Sequence, residues 1–117
     1  MFITDIITRK RIKEIQKKLE QDFPNYKKMA DEAFMLKKTI ELANAGGNNL
    51  ITNEICSLAS DIAFLSQDAV NRMARCRQAL IEKELTTAGR HSIIAEAQIK
   101  KASALNKVLI EKISNNN

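Results

Sequence analysis

The chain of 117 residues has no tryptophan, one tyrosine, one proline, three glycines, two cysteines and one histidine. Each shortage excludes something. With so few breakers there is no means of reversing direction every ~10 residues, and β-branched residues rarely alternate with polar ones, so a strand-rich fold is unsupported. A lone His91 cannot supply the imidazoles that most zinc or di-iron bundle sites use. The sequence contains no Cys-x-x-Cys, His-Glu-x-x-His or Glu-x-x-His. Gly46-Gly47 is followed by Asn48 rather than by Lys-Ser or Lys-Thr, so no phosphate loop is present. Ser-x-x-Lys and Gly-x-Ser-x-Gly are missing as well. The expectation is a non-enzymatic protein with no catalytic residue, metal or cofactor.

No run approaches the ~18 apolar residues of a membrane span, and no basic stretch followed by an apolar core opens the chain. Cys56 and Cys76 fall 20 positions apart on one expected helix, about 30 Å at ~1.5 Å per residue, too far for a disulfide. Free thiols on an apolar stripe fit a reducing compartment, and the expected location is cytoplasmic.

What the chain does have is helical periodicity. From Leu50 to Leu85 apolar residues recur at Ile51, Ile55, Leu58, Ile62, Leu65, Ala69, Met73, Cys76 and Leu80, in steps of three and four that place them on one helix face. The spacing predicts a helix of about 36 residues, roughly 54 Å long. Three shorter helices are expected around it. One runs to about Gln21 and is ended by Phe23-Pro24-Asn25; one runs from about Asn25 to Ala45 and is ended by Gly46-Gly47; and one runs from about Arg90 to Ser114, after Thr86, Thr87 and Gly89 close the long helix. The fold class is thus all-α, a four-helix antiparallel bundle with one long central helix (about 50–87), kinked or dimerised. Residues 1–114 form a single helical domain and 115–117 a frayed tail.

A long helix among shorter neighbours would project by about 20 Å, leaving apolar positions in water. That surplus makes Leu58, Ile62, Leu65, Met73, Cys76 and Leu80 candidates for self-association or for binding a protein partner. The expected function is a helical protein–protein interaction module of adaptor, inhibitor or chaperone type, self-associating as a homodimer through the long helix.

Charge gives the alternative. Nineteen Lys and Arg oppose fourteen Asp and Glu, a net charge of +5. Arg9, Lys10, Arg11, Lys13, Lys17 and Lys18 face only Glu14 and form the one concentrated run. On a helix these residues make a broad positive face, suited to an accessory protein that binds nucleic acid or another anionic partner. No aromatic lies among them to stack on a base. Phe2, Ile3, Ile6 and Ile7, just before the run, would also suit a membrane-surface anchor.

Overall fold

The computed structural model describes residues 3–115, and among these every regular element is a helix: α1 (Ile3–Ala45), α2 (Asn53–Ile81) and α3 (Leu85–Asn115). The expected four-helix bundle is therefore corrected to three helices. The long helix is also the first rather than the central one. α1 has 43 residues and α2 only 29, about 64 and 44 Å by the helical rise. The molecule measures 66 × 22 × 18 Å, so α1 spans its whole length.

The missing break is at Pro24, which lies inside α1. Proline removes an N–H and crowds the carbonyl four residues back, at a cost of ~3 kcal/mol in a helix interior. Here Pro24 faces solvent, where water can serve the freed carbonyl. Asn25 Nδ2 donates to the Gln21 carbonyl at 3.1 Å. The decisive neighbour is Phe23, which is 3% exposed and packs on Ala69, Met73 and Ala95. Lys27 Nζ lies 4.6 Å from its ring centre and the Arg77 guanidinium 4.7 Å. Burying a phenylalanine is worth about 1.5–3 kcal/mol and each exposed cation over a ring about 0.5–1. Together these terms match the proline penalty and keep the helix continuous.

The second correction concerns where α2 stops. α1 ends as expected: Gly47 takes φ +82°, while Asn48 N–H donates to the Ala43 carbonyl and Gly47 N–H to that of Asn44, both at 3.1 Å. α2 ends with the same pair of bonds, Glu84 N–H to the Ala79 carbonyl (2.8 Å) and Lys83 N–H to that of Leu80 (3.1 Å). The left-handed position there is held by Lys83, at φ +62°. A lysine gives no sequence signal for a stop, so the expected boundary slid on to Thr86, Thr87 and Gly89, which instead lie in the first turns of α3. Thr52 caps α2, its side chain accepting from Ile55 N–H at 3.2 Å.

α2 runs unbroken through Ser66–Asp68, and the buried Ser66 hydroxyl donates to the Ile62 carbonyl at 2.8 Å. The buried residues of α2 include Ile55, Ala59, Ile62, Ser66, Ala69, Met73 and Cys76, in strictly alternating steps of four and three. α3 answers with Ala88, Ser92, Ala95, Ala102 and Leu109, and Ile99 and Ile113 packed on the core, with the half-buried Asn106 between, complete the same alternation. A period of 3.5 keeps one seam facing its partner along the whole helix, as in a coiled coil. About half of these seam residues are alanine or serine, which lets the two backbones pack closely.

Three layers of core show the chain directions. Ile15 of α1 meets Cys76, Ala79 and Ala88 at one end, Phe23 meets Ala69, Met73 and Ala95 in the middle, and Ala33 and Ile40 meet Ile55–Ala63, Ala102 and Leu109 at the other end. As numbers rise along α1 they fall along α2 and rise along α3. The bundle is up-down-up, with α1 and α3 parallel on either side of α2. α1 and α3 touch each other sparingly.

Two stability outcomes follow from these packing arguments. Ala95→Leu inserts a branched side chain at a seam position of 0% exposure and should lower unfolding free energy by about 3 kcal/mol in a denaturant titration; a loss below ~0.5 kcal/mol would mean the seam is loose. Lys83→Gly removes a Cβ from the left-handed position and should raise stability by about 1 kcal/mol in the same measurement.

Candidate interaction surface

The apolar residues assigned to a partner lie elsewhere than expected. Ile62, Met73 and Cys76 are 4%, 1% and 0% exposed, and Leu58, Leu65 and Leu80 are half-buried against the core clusters. Their own α1 and α3 cover them. The surplus length that pointed to a partner belongs to α1, whose first deeply buried side chain among the described residues is Ile15. Ile6 and Ile7, ahead of it, are 54% and 58% exposed; Phe2 lies outside the described residues, as do Asn116 and Asn117 of the expected tail.

The basic run occupies this first part of α1. Arg9, Lys10, Arg11, Lys13 and Lys17 are exposed and Lys18 is half-buried. Packing at the Ile15 layer brings the end of α2 and the start of α3 beside it. Residues 1–21 and 72–92 together hold eleven of the nineteen basic residues and five of the fourteen acidic ones. One end of the bundle therefore carries the whole positive excess. Arg72 is held by Asp68 at 3.3 Å, and Gln98 Nε2 also donates to that carboxylate. His91, half-buried in α3, has its pKa lowered by burial and by the charges of Arg72 and Arg75, which keeps the ring neutral at pH 7.

Beside this end an open groove runs between α1 and α3. It contains two hollows. The first, of about 450 Å³, is lined by Ile7, Lys10, Arg11, Glu14, Ile15, Lys18, Gly89, Ser92 and Ile93. The second, of about 390 Å³, has Met29, Ala33 and Leu36 on one wall, Ser103, Asn106 and Lys107 on the other, and Ile62 and Ser66 beneath. Between them Lys18 Nζ meets Glu96 Oε2 at 2.9 Å, an ion pair that ties α1 to α3. Ile7, Ile93, Leu36 and Ile110 stand along the groove helices 58%, 61%, 37% and 55% exposed.

The polar chemistry of the first hollow is incomplete. Ser92 is 4% exposed, and its hydroxyl has no hydrogen-bond partner, a condition that costs about 1–3 kcal/mol. Among the described residues neither Lys10 nor Arg11 has an ion pair or hydrogen bond. Gly89 explains how Arg11 lies against α3: a Cβ on that residue would stand 3.2 Å from Arg11 Nη2.

Two groups with nucleophilic chemistry, Cys76 and Tyr26, have raised pKa values. Burial raises the Cys76 pKa against the opposing effect of Lys18, so the thiol stays protonated. Burial, with the charges of Asp22 and Glu96, raises that of Tyr26. Both cysteines are free. Among the described residues no group of three or more His, Cys, Asp or Glu could hold a metal ion, and no helix is long and apolar enough to cross a membrane.

The groove residues of α3 escaped the sequence reading. Gly89, Ile93, Glu96, Ser103 and Lys107 continue the four-three alternation one position beyond the seam, and a search for a second heptad stripe would have found them. The chain matches no family model, no curated protein sequence and no solved structure.

The Lys18–Glu96 pair has a pH signature. Its hydrogen bond and charge lower the Glu96 pKa in the folded state, so it stabilises above the unfolded carboxyl value and is lost as pH falls through the lowered folded value. Both side chains are about 40% exposed, which limits the effect to ~0.5 kcal/mol. Glu96→Gln should show that loss by thermal melts at neutral pH and none in acid below both values.

Proposed function

We propose that the protein is a non-enzymatic helical interaction module whose partner supplies a helix to the groove between α1 and α3. The observation that carries this reading is the groove itself, an open lane along α2 with apolar side chains on both walls. An up-down-up bundle whose outer helices barely meet has room for one more helix, and four-helix bundles bury such seams completely. Exposed apolar rows of this kind mark interaction sites. Lys10, Arg11 and Lys107 exceed Glu14 and Glu32 along the margins, so the complementary helix is acidic on its flanks. The positive end argues against a second copy seated there, because like charges would meet. Free cysteines support a cytoplasmic setting.

A second reading, nucleic-acid binding by an accessory protein, is favoured by one observation, the concentration of unpaired cations at the α1 end. Phe23 is buried in the core, and the exposed Phe34 and Phe64 lie beside Ala33 and Ala63 in the far layer, away from these cations, so among the described residues stacking partners are missing where the charge is.

Photocrosslinking in living cells separates the readings. A photoreactive residue at Leu36, within the groove, should join the chain to another protein, and the same residue at Phe64, 69% exposed on α2, should not. Loss of the Leu36 adduct on Ile93→Asp is expected. Crosslinks from Leu36 to a second copy would make the module a homodimer, and nucleic-acid adducts from Lys13 with none from Leu36 would establish the second reading.

A further inference from the structure

We infer that the outward face of the first turns of α1 docks on an anionic lipid bilayer, with Ile6 and Ile7 entering the headgroup layer and Lys10, Lys13 and Lys17 meeting the lipid anions. The inference does not depend on what fills the groove.

α1 outruns the rest of the bundle, and at one end only. It has 43 residues against 31 in α3, a surplus of about 18 Å at the helical rise. At the far end the helices finish level, since Ile40 shares its layer with Ile55 and Leu109. The surplus therefore lies ahead of Ile15, whose own layer already contains Ala79 and Ala88 on either side of the turn between α2 and α3. Ile6 and Ile7 stand in this stretch 54% and 58% exposed. The hollow beside Ile6 is otherwise lined by Arg9, Lys10 and Lys13, all of α1, and takes no wall from α2 or α3.

The register of α1 sets apolar and basic groups on one line. Ile6, Lys10, Lys13 and Lys17 follow one another by four, three and four, which keeps them within about 60° of one another at ~100° per residue. Ile15, buried against the core, lies about 180° from Ile6 by the same count. The line thus points straight away from the bundle. All four of its side chains are exposed, and among the described residues none of the three lysines has an ion pair or hydrogen bond.

The order of these groups selects the partner. Isoleucines come first and cations continue from them to Lys17, about 17 Å further along the helix. Against a bilayer the isoleucines reach the acyl boundary, while lysines on long stems keep their ammonium groups among the headgroups. A nucleic acid would use the lysines and leave the isoleucines in water. Neither signal is sufficient alone, because a small apolar insertion is weak and each cation near an anionic leaflet adds only a modest term, so attachment is reversible and needs both. The positive excess gathered at this end, eleven basic residues against five acidic ones in 1–21 and 72–92, attracts the chain to a negative surface in the matching orientation. Cations throughout this part of α1 keep it on the surface, and among the described residues no helix is long and apolar enough to cross.

Vesicle flotation of the full chain tests the assignment. Vesicles of phosphatidylcholine with about 30% phosphatidylserine should carry the chain, and pure phosphatidylcholine vesicles should bind it at least tenfold more weakly. Added salt should release it. Lys13→Gln and Lys17→Gln should each weaken binding about fivefold, the scale of one cation at an anionic leaflet, and Ile6→Ser combined with Ile7→Ser about tenfold. Leu42→Ser, at a residue 74% exposed near the other end of α1, should change nothing. The chain has no tryptophan, so Ile7→Trp gives a single reporter, whose emission should move to shorter wavelength on the anionic vesicles; Phe64→Trp should not respond. This reporter removes no cation and keeps the test decisive if another substitution disturbs folding. Equal binding to both kinds of vesicle, unchanged binding after both isoleucines are replaced, or an unresponsive Ile7→Trp chain would overturn the inference. Tighter binding of duplex DNA or RNA than of the anionic vesicles, insensitive to the isoleucine substitutions, would overturn it in favour of nucleic acid.

Discussion

The structure depends on the close approach of α2 to α3 along a seam of small residues. Ala59, Ser66 and Ala69 on one helix and Ala88, Ser92, Ala95 and Ala102 on the other are all at most 4% exposed. Their spacing of four and three keeps the seam in phase over about 30 residues, where a strict 3.6 repeat would drift by roughly 20° per heptad. Close approach at these positions adds many dispersion contacts between the two backbones. Larger side chains alternate with the small ones: Ile55, Met73 and Leu109 are fully buried within the seam, and Leu58, Leu65 and Leu105 pack beside it.

That arrangement sets what α1 must do. A two-helix hairpin leaves one side of its core open, and α1 covers it with Ile15, Phe23 and Ile40, each at most 5% exposed. Phe23 is the central one. It holds the middle layer and, through that packing, carries the helix past Pro24. Because α1 seats chiefly on α2, its other edge and that of α3 are left apart, bridged in the middle by Lys18 and Glu96. The groove is thus a by-product of the same packing choice that makes the bundle stable.

Electrostatics give the groove a direction. Folding gathers the basic half of α1 with Arg72, Arg75, Arg77 and Arg90, residues that the linear sequence keeps more than fifty positions from the run at 9–18. Within this group most charges have no opposing carboxylate, while Ser92 has no partner for its hydroxyl. The exposed isoleucines Ile6, Ile7 and Ile93 lie beside these cations.

Much of this was written in the sequence. The helical class, the inward face of α2, the Gly46-Gly47 stop and the positive character of residues 9–18 all follow from periodicity, φ preferences and charge, which are properties of short stretches. Ala59 and Ser66 also kept the period, although a reading weighted toward large residues passed over them for Leu58 and Leu65. What tertiary structure alone decided was the helix count, the turn at Lys83 and the covering of α2. Proline's local penalty was outweighed by burial of Phe23 against residues some fifty and seventy positions away, Met73 and Ala95. Lys83 occupies a left-handed position that its type does not advertise, because the seams on either side fix where the chain must reverse. Periodicity reports which face of a helix is apolar; only competition among distant surfaces determines which neighbour covers it and which face is left open.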